Sequence, residues 1–307
     1  MEINSGKSVY HTPVLLHESV EGLSIKPDGI YVDLTFGGGG HSKEILKHLT
    51  TGHLFAFDQD EDAVANAENL DKSSFTLISA NFRYLKKYLK LNGITKVDGL
   101  LADLGVSSHQ FDTAHRGFSF RFDGPLDMRM NQLQPNSAID IINKYEVADL
   151  HKIFGMYGEI NNAKTLAEVI HQQRSVDKIV TTTQLKNIAW KMTKRGQENK
   201  YLAQLFQALR IEVNEELKAL EEVLLQSPEV IKKGGRLSVI TYHSLEDRLV
   251  KNFIRSGKFY GEAEKDVFGN SNVPFVSINK KIIEPTDSEI QINPRARSAK
   301  LRIAEKT

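Results

Sequence analysis

Three carboxylates, Asp33, Asp58 and Asp103, each follow a short apolar segment of the kind that forms a buried strand. Ligands of open α/β sheets bind beyond the carboxyl ends of the strands, so we expect these side chains along one edge. Four glycines, Gly37–Gly40, follow the first carboxylate and lead into a helical pattern. Glycine allows positive φ and close backbone approach, and a helix N-terminus offers free N–H groups. Together these features predict a loop that binds a nucleotide-like ligand.

The spacing within this loop distinguishes two cofactors. The NAD fingerprint, Gly-x-Gly-x-x-Gly, would require a glycine where Ser42 stands. An acidic strand end followed by small residues at alternate positions fits Asp33, Thr35, Gly37 and Gly39. That is the S-adenosylmethionine pattern, with Thr35 in place of its usual first glycine. The loop therefore favours S-adenosylmethionine, and an NAD-dependent oxidoreductase is the alternative.

Residues after other predicted strands extend this edge. Asp58 is placed to accept hydrogen bonds from a ribose hydroxyl pair. Phe82 either stacks on an adenine ring or belongs to the core. His243 either contacts substrate or caps the end of a strand. Ser244 and Asp247 have the spacing of a helix N-cap with an acidic third residue, and Asp247 is also expected to pair with the lysine four residues later.

Composition sets the outer limits. The 307 residues contain 40 Lys and Arg against 39 Asp and Glu, a formal charge of +1, so the bulk charge does not by itself point to a nucleic-acid partner. The absence of cysteine excludes disulfides, thiolate metal sites and a cysteine nucleophile. No His, Asp and Glu set has metal-ligand spacing, so no metal site is predicted. Without a membrane-length apolar segment or a signal peptide at Met1–Gly6, we expect a cytoplasmic protein without a membrane partner.

Strands alternating with helices predict an α/β fold with a doubly wound parallel sheet. The predicted strands are 30–34, 53–57, 75–79, 97–101 and 234–241, with further candidates at 275–283 and 299–304. The predicted helices of this part are 11–23, 41–49, 61–69, 84–91 and 245–254, and 256–274 is expected to be a loop. The alternation stops after the fourth strand, where helical patterns occupy 138–143, 146–156, 160–174, 183–194 and 201 onward. We therefore predict a core of 1–109 and 211–307 interrupted by an inserted helical domain, 110–210.

Basic residues cluster in three places. Arginines alternate with phenylalanines after the fourth strand, a pattern that suits phosphate contacts and base stacking. The first cluster is Arg116, Phe118, Phe120, Arg121, Phe122 and Arg129, the second is Lys186, Lys191, Lys194, Arg195 and Lys200, and the third is Arg295, Arg297, Lys300 and Arg302. Each cluster is either an RNA contact or a solvated face. The insertion is the predicted RNA-recognition region.

Several longer motifs give a more specific indication. They are His11-Thr-Pro-Val-Leu-Leu, Asp33-x-Thr-Phe-Gly-x-Gly-Gly-His-Ser42, Asp103-Leu-Gly-Val-Ser-Ser108, Arg116-Gly-Phe-Ser-Phe120, Asp123-Gly-Pro-Leu-Asp-Met-Arg-Met130, His243-Ser-Leu-Glu-Asp-Arg248 and Asn293-Pro-Arg-Ala-Arg-Ser298. Together they closely resemble the RsmH (MraW) family, nearly end to end. The resemblance implies a Rossmann-like class I methyltransferase sheet with a helical domain inserted after strand β4.

The resemblance also implies an activity and a site. Members of the family transfer methyl from S-adenosylmethionine to N4 of a cytosine in the decoding region of 16S rRNA. The implied partner is 16S rRNA within the small ribosomal subunit, and a homodimer is left open. The cofactor contacts carried over by position are Gly39, Gly40, His41, Asp58, Phe82, Asp103 and Gln110. The sequence departs from the family at Gly38, where a larger residue is expected, and at His109, where proline is common.

The missing cysteine bears on mechanism. Methylation of carbon 5 of a pyrimidine normally requires a cysteine to add to the ring, so transfer here must go directly to a heteroatom such as an exocyclic amine. Asp103 is the candidate catalytic residue, as a hydrogen-bond acceptor for that amine, or else it positions the cofactor or the loop at 106–108. A third class, a non-catalytic RNA-binding or ribosome-assembly protein, would not need the three carboxylates.

Overall fold

A computed structural model describes residues 13–263 and 273–307. Its centre is a seven-stranded sheet of order β3-β2-β1-β4-β5-β7-β6. The strands are β1 (Ile30–Asp33), β2 (His53–Asp58), β3 (Phe75–Ser79), β4 (Val97–Asp103), β5 (Ile231–Thr241), β6 (Phe275–Ser277) and β7 (Lys300–Lys306). The first five run parallel, and β7 is antiparallel to both of its neighbours. This arrangement confirms the predicted fold class.

Helices follow the strands of the sheet and also form a region of their own. They are α1 (Leu16–Gly22), α2 (Gly40–His48), α3 (Leu85–Leu91), α4 (Ser108–Asp112), α5 (Ala138–Lys144), α6 (Val147–Met156), α7 (Ala163–Val176), α8 (Thr182–Trp190), α9 (Glu198–Asn214), α10 (Glu216–Val230), α11 (Ser244–Ser256) and α12 (Asp287–Ile292). Within the described ranges, no helix has the length and apolar character needed to cross a bilayer.

The central strands are apolar because helices cover both faces of a parallel sheet. Val32, Leu54, Leu100 and Leu101 are completely buried. Each such side chain contributes about 1.5–3 kcal/mol by leaving water. In register, Asp33 of β1 lies beside Leu101 of β4, so the carboxyl ends of β1 and β4 meet at one edge of the sheet.

The chain divides into two compact units. The first contains the residues up to Gly105 together with Leu220–Thr307, and the second is Val106–Ala219. The second unit is wider than the predicted insertion of 110–210. Its fully buried side chains come from several helices, for example Phe154 of α6, Leu166 of α7 and Leu209 of α9. This unit therefore has a hydrophobic core of its own.

The second unit corrects the expectation for two of the three arginines in the first basic cluster. Arg116 is only 2% exposed, and its Nη2 donates to the carbonyls of Arg129 and Met130 at 3.0 and 3.1 Å. Arg129 in turn forms a two-point ion pair with Asp127, at 2.8 and 2.7 Å. These guanidinium groups stabilise the loop that follows β4 instead of facing a ligand. Arg121 is exposed.

Other differences concern element types and bounds. The helix predicted over 61–69 is a 3₁₀ segment, Glu61–Ala67, whose only buried residue is Ala63. One apolar anchor does not support a longer α-helix. The strand predicted over 275–283 is shortened to Phe275–Ser277, and Ile283 pairs with Leu301 through an isolated bridge. Residues 11 and 12 of the first predicted helix, and 264–272 of the predicted loop, lie outside the described residues.

Candidate active site

Asp33 is a structural residue of the glycine loop. Its side chain is completely buried, Oδ2 accepts from the Ser42 hydroxyl at 2.7 Å and Oδ1 accepts from the Thr35 N–H at 3.0 Å. These bonds tie the end of β1 to the first turn of α2. Burial raises the pKa of this carboxyl, and His41 and the hydrogen bonds oppose the increase. Asp33 lies at the end of β1, at the edge predicted for it beside Asp58 and Asp103, whose pKa values it raises, but its own carboxylate is buried and held by the loop.

The glycine loop leaves space for a ligand at Gly37. Gly37 has φ of +50°, and no atom of residues 13–263 or 273–307 lies within 4 Å of the position that a Cβ would take. Its N–H donates to Oδ2 of Asp58 at 2.7 Å, and its carbonyl accepts from the Asn66 amide at 3.0 Å. Gly39 has φ of +73°, which only glycine adopts easily. The backbone around Gly37 is therefore a fixed cradle with space for a ligand, whereas Gly39 is buried against the Phe36 ring.

The next two residues pack against the chain segment before α1. A Cβ on Gly40 would lie 2.1 Å from Cγ of Pro13, so a larger residue would displace that segment. His41 is buried, and its Nε2–H donates to the carbonyl of Val14 at 3.2 Å. That bond directs the other ring nitrogen, Nδ1, toward Oδ2 of Asp103 at 3.8 Å. His41 is thus held beside the carboxylate at the end of β4.

Asp58 closes β2 and accepts two backbone N–H groups, from Gly37 at 2.7 Å and from Asp60 at 2.9 Å. Burial raises its pKa to about 6, with smaller increases from Asp60 and Asp33, and the two N–H groups act in the opposite direction. The carboxylate therefore links the glycine loop to the turn after β2. It lies where a ribose-binding carboxylate is expected in a doubly wound sheet.

Asp103 closes β4 and is surrounded by groups that fix its orientation. Its N–H donates to Oγ1 of Thr35 at 2.7 Å, and Oδ1 accepts from the hydroxyl of Tyr242 at 2.8 Å. Burial raises its pKa to about 6, and Asp33 and Glu246 add to the increase. His41 and the Tyr242 hydroxyl lower the pKa. One carboxylate oxygen is therefore held by tyrosine, and the other faces His41.

Phe82 and Gln110 lie in different units. Phe82 is half-buried in a 3₁₀ segment, Phe82–Tyr84, just after β3. Gln110 belongs to the second unit, where it is buried and forms a capping box with Ser107 at the start of α4. Its Oε1 accepts from the Ser107 N–H at 3.0 Å. The oxygen of Gln110 thus stabilises a helix terminus within its own unit, and a cofactor contact for this residue stays a prediction.

The segment after β5 corrects a predicted cap. His243, not Ser244, is the N-cap of α11, and its Nδ1 accepts from the Glu246 N–H at 3.4 Å. Asp247 pairs with Arg302 of β7 at 2.7 and 3.1 Å, not with Lys251 as expected. The spacing correctly predicted that a helix begins here, but it placed the N-cap one residue too late. The cap accounts for Nδ1 of His243, and a substrate contact for this residue stays a prediction.

The sequence patterns did not predict that Tyr242 and Thr35 both bond to Asp103. Tyr242 directly follows β5, and β5 lies beside β4 in register, so their carboxyl ends meet. A search of every strand end for polar side chains would have found it. Thr35 stands where the loop pattern usually has glycine, and its hydroxyl accepts a hydrogen bond from the Asp103 N–H. The threonine in place of the usual glycine was the feature of the sequence that could have indicated this contact.

These observations define a class of protein. The fold is an α/β sheet with one antiparallel strand near its edge. The site combines the glycine cradle after β1 with the carboxylates of Asp58 and Asp103 at the ends of β2 and β4. The cradle and the carboxylates fit S-adenosylmethionine, which needs close backbone approach and acceptors for its ribose and its cationic groups. The class is that of Rossmann-like, S-adenosylmethionine-dependent methyltransferases.

Comparison with known proteins gives the family. The chain matches the MraW methylase family over residues 8–307 and belongs to it. A relative from Cytophaga hutchinsonii, Ribosomal RNA small subunit methyltransferase H, is 63% identical over 298 residues, covering 97% of this chain and 100% of the relative. A protein of the same name from Phocaeicola vulgatus is 53% identical over 305 residues, covering 99% and 100% of the two chains.

The solved structures that match this chain have much lower sequence identity to it. An rRNA methylase from Streptococcus thermophilus is 14% identical with a TM-score of 0.40, over 98% of this chain and 99% of that one. A putative methyltransferase from Streptococcus mutans in complex with SAH is 16% identical with a TM-score of 0.42, over 95% and 97%.

Proposed function

We propose that this protein transfers a methyl group from S-adenosylmethionine to the exocyclic N4 amine of a cytidine in the decoding region of 16S rRNA. The observation that carries the proposal is the full-length similarity, 63% identity over 298 residues, to a protein named Ribosomal RNA small subunit methyltransferase H. The nucleotide and its reacting atom follow from the resemblance of the long motifs to the RsmH (MraW) family. The methyltransferase class itself follows from family membership.

Residues of the first unit would hold the cofactor. The backbone at Gly37 would contact it closely, because the Cβ position there is free of described atoms and φ is positive. Asp58 would accept the ribose hydroxyls, and Phe82 would lie against the adenine face. His41 and Asp103 would lie at the amino-acid end. When bound, S-adenosylmethionine supplies a methyl group on a positively charged sulfur.

Direct transfer is supported by the absence of cysteine from all 307 residues. An enzyme that methylates carbon 5 of a pyrimidine uses a thiolate to make that carbon nucleophilic. An exocyclic amine needs no covalent activation, but its lone pair is delocalised into the ring. It must therefore be held in line with the methyl group, and the charge that develops on it must be stabilised.

Asp103 is the residue we assign to that task. With Tyr242 bonded to Oδ1, Oδ2 remains to accept a hydrogen bond from the amine as positive charge develops on its nitrogen. Because the pKa is about 6, the carboxylate is largely ionised at neutral pH yet basic enough to take up a proton. The nearby His41 and Tyr242 orient it. Asp103 is thus a catalytic residue in this account.

RNA with 5-fluorocytidine at the target position tests the mechanism. Direct amine transfer gives methylated RNA and free enzyme, whereas a covalent route would leave a stable protein–RNA adduct on a denaturing gel. Binding of S-adenosylmethionine against NAD, measured by calorimetry, separates a methyltransferase from an oxidoreductase. A non-catalytic RNA-binding protein would bind the RNA and produce no methylated product.

A further inference from the structure

The only tryptophan of the chain, Trp190, is the last residue of α8 and is 46% exposed. Its surroundings in the sequence are strongly basic. Residues 186–200 contain five basic side chains and one acidic, a net charge of +4, whereas the whole chain has a formal charge of +1. An aromatic ring among cations is the combination that binds single-stranded nucleic acid, with bases stacked on the ring and phosphates near the cations.

The loop after α8 is held in two consecutive turns. The Thr193 N–H and hydroxyl both donate to the carbonyl of Trp190, at 3.3 and 3.0 Å. In the second turn, the Gln197 N–H donates to the carbonyl of Lys194 at 3.0 Å. Within the first turn, Met192 packs against the hydrophobic core of the second unit. The loop is therefore held by its two turns and by the packing of Met192.

The cations of this loop and of the first turn of α9 are exposed and form no ion pairs within the described residues. Lys191, Lys194, Arg195 and Lys200 are all exposed. Over 13–263 and 273–307, none of these four forms an ion pair. The one acidic residue of the stretch, Glu198, is half-buried in the first turn of α9. The positive potential beside Trp190 is thus available to an anionic partner.

We infer that the Trp190 surface, formed by Trp190, Lys191, Lys194, Arg195 and Lys200, binds a single-stranded segment of the RNA substrate. A base stacks on the indole, and the cations contact the flanking phosphates. The inference rests on the proposed function for its assumption that the substrate is RNA, and it adds where that RNA is held. A single ring among cations favours a nucleic acid over a protein, whose interfaces deplete lysine at the centre.

Tryptophan fluorescence reports on this surface alone, because the chain has one tryptophan. The full-length protein is titrated with a stem-loop RNA of the 16S decoding region and excited where tyrosine does not absorb. We expect saturable quenching of the Trp190 emission and protection from acrylamide, both weaker at higher salt. Unchanged emission and accessibility while a filter assay shows bound RNA would overturn the inference.

Variants separate stacking from charge. Trp190→Leu should weaken RNA binding by roughly 5- to 150-fold, the range expected for one stacked base, while Trp190→Phe should retain most of the affinity. The double variant Lys191→Ala and Arg195→Ala should reduce the slope of log affinity against log salt by roughly 0.7 for each lost phosphate contact. Lys152→Ala, an exposed lysine of α6 in the same unit, is the matched control and should bind like the parent. Thermal unfolding of each variant excludes misfolding.

Methylation assays distinguish this inference from the proposed function. If Trp190→Leu methylates small subunits with the KM of the parent, the Trp190 surface does not bind the substrate, and the proposed function stands. If the parent methylates no RNA but RNA quenches Trp190, the proposed function fails and the binding surface stands. Quenching by intact subunits but not by the stem-loop or by protein-free 16S rRNA would assign the surface to a ribosomal protein and overturn the RNA inference.

Discussion

The hydroxyl of Tyr242 donates a 2.8 Å hydrogen bond to Oδ1 of Asp103 and so connects the carboxyl ends of β5 and β4. Burial beside this carboxylate raises the pKa of Tyr242 well above its ordinary value, so the phenol remains a donor through the range in which Asp103 titrates. The bond lowers the pKa of Asp103 against burial, Asp33 and Glu246, and His41 acts in the same direction as the tyrosine. Tyr242 is therefore a positioning residue for Asp103.

Tyr242→Phe removes only the donor. The pKa of Asp103 should then increase above about 6, moving the acidic limb of the pH–rate profile up by about one pH unit. We expect kcat near neutral pH to fall, recovery at higher pH, and little change in the KM for RNA. Tyr31→Phe is the matched control, because its hydroxyl accepts from the Lys26 N–H and does not contact Asp103. An unshifted pH–rate profile would show that the hydrogen bond from Tyr242 does not affect the pKa of Asp103.

Asp103→Asn should separate activity from stability. We expect kcat to fall by roughly 100-fold or more, with RNA affinity retained, because the amide accepts a hydrogen bond but carries no charge. The pKa of about 6 in the folded chain lies above the ordinary 3.8. The folded state therefore binds the proton more tightly, and stability decreases as pH rises from about 4 to about 6.

The Asp103→Asn variant has no carboxyl to ionise, so it avoids the free-energy cost of burying a charge at this position. At neutral pH we expect the free energy of unfolding of Asp103→Asn to exceed that of the parent by about 1–2 kcal/mol. Below about pH 3, where the carboxyl is protonated in both states, the difference should vanish. Urea unfolding at several pH values measures this. A variant that is less stable than the parent at neutral pH would argue against a costly buried charge.

Asp58→Ala should weaken cofactor binding and leave the sheet folded. The carboxylate is placed to accept two ribose hydroxyls through charge-assisted bonds worth about 1.5–3 kcal/mol each, so we expect at least a tenfold loss of affinity. It also releases the Gly37 N–H, which loosens the cradle. Calorimetric titration with S-adenosylmethionine measures the effect, with Asp71→Ala, an exposed turn carboxylate, as control. Equal affinities would remove Asp58 from the ribose site.

Arg116→Ala should destabilise the protein and is unsuitable as a test of RNA binding. It removes a buried guanidinium and leaves the carbonyls of Arg129 and Met130 without that donor. We expect a loss of about 2–4 kcal/mol in the free energy of unfolding. Arg121→Ala, which removes an exposed side chain, should change stability by less than about 0.5 kcal/mol. Similar stabilities for the two variants would contradict the structural role of Arg116.

Much of the fold could be predicted because it depends on local patterns. Apolar runs followed by aspartate marked β1, β2 and β4, and a glycine turn marked the start of α2. Arg116 and Tyr242 could not be assigned this way. Arg116 is buried through bonds to carbonyls 13 and 14 residues away, and the partner of Tyr242 is 139 residues away. Pairings of this kind depend on tertiary structure. They produce no periodic pattern in a single sequence, unlike helices and strands.

The identity of the methylated atom tests the account most directly. Small ribosomal subunits from a strain lacking the gene are incubated with the purified protein and methyl-labelled S-adenosylmethionine, and the label is mapped by nuclease digestion and mass spectrometry. The account predicts one labelled nucleoside, N4-methylated cytidine from the decoding region of 16S rRNA, and no label with Asp103→Asn over the same interval. Label on carbon 5 of a pyrimidine, on another RNA, or on no RNA at all would contradict it.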